Sequence, residues 1–104
     1  MKHFKYFLDF TEDTVKHFQE DKKFHLESLE ETKEMVLKVN EALDSLEEGN
    51  EELKKYLLRR KEIWENNLKD NNDEIEKSEK ALAHFMPALE VLKKYEQKTK
   101  AKIA

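Results

Sequence analysis

Cysteine is absent from this chain of 104 residues, and glycine and proline occur once each. Without thiols there is no disulfide framework, no thiolate zinc site and no cysteine nucleophile. A lone glycine leaves too few tight turns for a sheet fold. No apolar run approaches the ~18 residues needed to span a membrane. Asp9 and Glu12 interrupt the Phe/Tyr/Leu segment at residues 4–10 before it can serve as the apolar stretch of a signal peptide. The expectation is therefore a cytoplasmic protein with no membrane contact.

What the chain has is charge and periodicity. Charged residues make up 42% and apolar residues 38%, against the usual ~25% and ~45–50% of globular domains. A thick core is excluded. Ten per cent aromatics and a regular Leu/Val/Phe pattern also argue against disorder. Long helices remain. Residues 1–52 carry 7 Lys and 15 Asp/Glu, whereas residues 53–104 carry 13 Lys/Arg and 9 Asp/Glu. Halves of opposite sign suit packing against each other.

Apolar residues before Gly49 recur in alternating steps of four and three: Phe4, Leu8, Thr11, Val15, Phe18, Lys22, His25, Leu29, Thr32, Val36, Val39, Leu43, Leu46. After it the rhythm resumes through Leu57, Lys61, Trp64, Leu68, Asn71, Ile75, Ser78, Leu82, Phe85, Leu89 and Leu92. A mean spacing of 3.5 is the seam of a coiled coil. Gly49 suits a residue of positive φ ending the first helix, and Asn50 suits the cap of the second. The expected fold is all-α: one domain over 1–104, a long antiparallel helical hairpin with arms of about 4–48 and 51–95, dimerising into a four-helix bundle.

Folding at the turn pairs seam residues whose numbers sum to 100. Leu8 then meets Leu92, Val15 meets Phe85, Phe18 meets Leu82, Val36 meets Trp64, and Leu43 meets Leu57. The middle layers are polar: Lys22 with Ser78, His25 with Ile75, and Leu29 with Asn71. These read as register-setting groups, with a hinge as the competing reading. The Asn-rich stretch at 66–73, with Asn71 and Glu74 as a capping box, makes a three-helix bundle with a break near Asn71 the alternative fold. Pro87 predicts a kink, and residues 96–104 are expected to fray. Thr11 is a second candidate helix start.

Function is read from the flanks. Beside the seam, Phe7, Phe10, His17 and Phe24 on the first helix share a face with Ala81, His84, Ala88, Val91 and Tyr95 on the second. A contiguous apolar face on so thin a fold marks an interface. The expected partners are a second copy and another protein. No His-Glu-x-x-His motif, P-loop or glycine-rich phosphate loop occurs, and no histidine follows a glutamate by three residues as in di-iron bundles. No catalytic residue, cofactor or metal site is expected.

The reading is thus a non-catalytic interaction protein: a small adaptor, secretion-type chaperone, immunity protein or inhibitor. A structural coiled-coil spacer is the alternative. A nucleic-acid regulator using the basic stretches 54–61 and 93–102 is disfavoured, because acidic residues lie beside both.

Overall fold

The computed structural model describes the backbone of residues 3–103 and the side chains of residues 3–100. Two helices dominate: α1, Phe4–Asp44, and α2, Glu51–Ile103. No strand occurs among the described residues. The contacts gather into two compact units, each built from both helices. A terminal unit joins Met1–Lys23 to Glu76–Ala104, and a turn unit comprises Phe24–Ile75.

In the turn unit the helices form a hairpin around residues 45–50. The first arm ends earlier than the expected residue 48. Ser45 turns its hydroxyl back onto the carbonyl of Glu41 (2.7 Å). Leu46 N–H then reaches Leu43 in the tighter i to i+3 pattern. Gly49 does have positive φ, +96°, but it lies five residues past Asp44 and shapes the loop rather than closing α1. Asn50 occupies the cap of α2: its carbonyl accepts the N–H of Lys54 at 2.9 Å. Its side-chain amide donates to Glu47 at 3.3 Å, tying the loop. Glu51 and Glu52 then sit at the positive end of the helix dipole.

The predicted seam is inside. Every position of the four-three pattern, from Phe4 to Leu46 and from Leu57 to Leu92, is buried or half-buried. The terminal unit closes on Leu8, Val15 and Leu82, the turn unit on Leu29 and Ile75. Each such side chain contributes roughly 1.5–3 kcal/mol by leaving water. Thr11 and Thr32, buried in the same stripe, satisfy their hydroxyls on the carbonyls of Phe7 and Ser28, each at 2.7 Å. Thr11 is thus a seam residue rather than a helix start.

Register follows the expected sum closely. In the terminal unit Phe4 packs on Tyr95 with ring centroids 4.6 Å apart, and Phe18 stacks on Phe85 at 6.3 Å. In the turn unit Asn71 meets His25, Ser28 and Thr32. Residue numbers in these pairs add to between 96 and 103.

The path of α2 bears on three of the sequence readings. The chain does not break near Asn71, because that side chain is spent on cross-helix hydrogen bonds instead of a cap. Nor is helical structure lost from residue 96: Thr99 bonds the carbonyl of Tyr95 (3.0 Å), Lys100 reaches Glu96 (3.3 Å), and α2 runs to Ile103. Ala104 lies outside the described residues. The helix also continues through Pro87. Pro87 and Ala83 are both exposed, so the carbonyl that loses its partner can be solvated.

Opposite net charges do not hold the arms together as simply as the composition implies. Ion pairs such as Lys38–Glu34 and Lys80–Glu76 run along one helix. Lys22–Glu79 crosses the terminal unit at 3.5 Å, and there the acidic half supplies the cation.

Candidate protein-interaction face

The seam leaves two flanks on the terminal unit, and they differ in chemistry. Labelling seam positions a and d, the c and g positions of α1 include Phe7, Phe10, Thr14, His17 and Asp21; those of α2 include Lys77, Ala81, His84, Ala88, Val91, Tyr95 and Lys98. Phe7 is 55% exposed, Phe10 51%, Val91 67% and Tyr95 41%. His17, His84 and Ala88 are exposed, and Ala81 is half-buried. Eight of the nine predicted residues fall in the terminal unit. Phe24 falls in the turn unit, exposed and edge-on to the His25 ring at 5.1 Å.

The aromatic residues are already organised. Tyr6 meets Phe7 edge-on with centroids 5.3 Å apart and stacks on Phe10 at 6.4 Å. Tyr6 was not among the predicted residues, because it stands at an f position outside both flanks. Its one- and four-residue spacing from Phe7 and Phe10 is the signal that identifies it. Across the unit, Tyr95 reaches from this face over the seam to Phe4. His17 and His84 sit edge-on to their neighbours Phe18 and Phe85, at 5.1 and 4.9 Å.

The other flank of the same unit is a shallow open groove of about 880 Å³, lined by Glu12, Lys16, Met86, Glu90, Lys93 and their neighbours. Charged side chains of both signs line it, and Lys94 pairs with Glu90 at 3.2 Å.

The turn unit places its chemistry inside. Asn71, buried, accepts from His25 Nδ1 (3.0 Å) through Oδ1, which fixes the imidazole proton on Nδ1. Its amide donates to Ser28 Oγ (3.1 Å) and lies 3.5 Å from Thr32 Oγ1. In the terminal unit Ser78, nearly inaccessible, donates to Asp21 at 3.1 Å. Among the described residues no buried side-chain polar atom lacks a partner, which is how a seam tolerates such groups. Trp64 is half-buried in the turn unit, beside a small polar-lined hollow of about 240 Å³ shared with Thr32, Met35 and Asn71.

The basic stretch 54–61 is engaged locally. Arg60 donates from Nε to the Tyr56 hydroxyl (3.2 Å) with its guanidinium 5.4 Å from the ring centre, and Lys61 pairs with Glu65. No described helix is long and apolar enough to cross a membrane.

Comparison with family models, curated proteins and solved structures returned no match.

Proposed function

We propose that this chain is a non-catalytic protein-interaction module that associates through the c/g flank of its terminal unit. The observation that carries the reading is the cluster Tyr6, Phe7 and Phe10 beside Val91 and Tyr95, all exposed. Two helices packed along one seam need only that seam to hold together, so large apolar side chains beyond it have no folding task. Soluble monomers rarely leave a contiguous apolar surface of several hundred Å² uncovered. Aromatic residues are the type most enriched at the anchoring centre of interfaces. The groove on the opposite flank of this unit is open and lined by charges of both signs, a poor enclosure for chemistry. Adaptors, secretion-type chaperones, immunity proteins and inhibitors all work by such surface coverage.

The test compares affinity capture from the native host by the natural chain and by a Phe10→Asp/Val91→Asp variant. Both positions are exposed, so the variant keeps its fold, checked by circular dichroism. The reading expects the captured set, a second copy included, to be lost with the variant. An unchanged set contradicts it.

A further inference from the structure

We infer that the occupant of this face is a second copy of the chain, docked about a two-fold axis parallel to the helices so that α1 of one copy lies over α2 of the other. The inference rests on the interaction reading above and adds the partner and its orientation. Size is the first argument. At about half exposure, an aromatic of 150–250 Å² offers on the order of 100 Å². Phe7, Phe10, Val91 and Tyr95 therefore supply roughly 400 Å² per copy, and the remaining residues carry the face toward the ~800 Å² per partner of a stable interface.

Shape is the second. The α1 side of the face is bulky, with Phe7 and Phe10, and the α2 side has small residues at Ala81 and Ala88. Because paired levels sum to 100, a parallel two-fold axis sets Phe10 of one copy at the level of residue 90 of the other, between Ala88 and Val91. Phe10 thus meets the small Ala88, while Phe7 falls at the level of residue 93, between Val91 and Tyr95. An axis perpendicular to the helices instead stacks α1 on α1, Phe on Phe, and α2 on α2, leaving Ala81 and Ala88 facing only each other's helix.

Charge is the third. On the α1 rim stands Glu20; at the same level on the α2 rim stands Lys80. A parallel axis brings acid to base, whereas the perpendicular one brings lysine to lysine. Glu20 and Lys80 already pair within their own helices, with Lys16 at 4.0 Å and Glu76 at 3.0 Å, so the second copy extends these pairs into a network.

A cysteine-free chain makes the test clean. His17 and His84 both stand at c positions, which point to opposite outer edges of one copy but to the same edge of the proposed dimer. His17→Cys and His84→Cys chains are prepared singly, then mixed and oxidised gently. The mixture should give disulfide-linked dimers in at least tenfold excess over either chain alone. In sedimentation at low salt, Glu20→Lys should weaken the dimer roughly two- to tenfold, and adding Lys80→Glu should restore it. Dimers in which His17→Cys links to itself as readily as to His84→Cys overturn the orientation. A natural chain that stays monomeric at high micromolar concentration overturns the inference altogether. In that case capture lost with Phe10→Asp/Val91→Asp still upholds the interaction reading, whereas unchanged capture removes both.

Discussion

Both units expose large apolar side chains, but these differ in kind and grouping. In the turn unit Phe24, Met35, Leu53, Tyr56 and Ile63 lie at c or g positions and Leu26, Leu37 and Leu58 on the other flank, and only two of these eight are aromatic. In the terminal unit Tyr6, Phe7, Phe10, Val91 and Tyr95 gather on one side, and the exposed Met86 is the exception on the other. Buried polar side chains do not separate the units: among the described residues Thr32 and Asn71 lie buried in the turn unit, where Asn71 joins His25 and Ser28, and Thr11 and Ser78 in the terminal unit. Exposed apolar side chains are ordinary for a soluble helix. A cluster of exposed rings in mutual contact, Tyr6 with Phe7 and Phe10, beside an otherwise sufficient seam is not, and that clustering, rather than the amount of apolar surface, is the ground for proposing that the terminal unit associates.

Substitutions can break this comparison. The largest effect belongs to the terminal seam: Leu82→Ala should cost about 2–5 kcal/mol, read as a large drop in thermal midpoint. A loss below 1 kcal/mol means the seam there is not closed. Next comes the polar set of the turn unit. Asn71→Ala strips His25 and Ser28 of a buried partner and should cost about 1–3 kcal/mol, measured by urea denaturation. A neutral result would move register-setting away from Asn71. Smallest is Phe10→Asp, which should change the stability of the isolated chain by no more than about 0.5 kcal/mol when measured in dilute solution. A marked loss there would make Phe10 a folding residue and dissolve the contrast between the units.

Much of this fold was legible before any coordinates. Alternation of four and three names each seam residue, and the turn position selects one register among those the heptad allows: the sum of 100 sets Asn71 at the level of Leu29, and the observed partner Ser28 is one residue away. What periodicity does not encode is how a polar side chain is used. Asn71 has the same local sequence whether it caps a helix or bridges two, and only the partners on α1 decide between them. The end of α1 was misplaced because the chain tightens at Leu46, whose N–H bonds Leu43 instead of Ala42, a choice among local hydrogen bonds that heptad phase does not encode. Tyr6 escaped because its role depends on ring contacts with Phe7 and Phe10 and not on the seam. The ion pairs escaped too: net charge per half says nothing about Lys22 finding Glu79.

The central claim is that association, when it occurs, covers the terminal unit's aromatic flank and spares the turn unit. Oxidative footprinting of the natural chain across a range of concentrations reads this directly, residue by residue. The account predicts that Tyr6, Phe7, Phe10 and Tyr95 lose reactivity together as concentration rises, while Phe24, Leu37 and Tyr56 keep theirs. Protection that appears first at Phe24, Leu37 or Tyr56, with the four terminal aromatics still reactive, would contradict it.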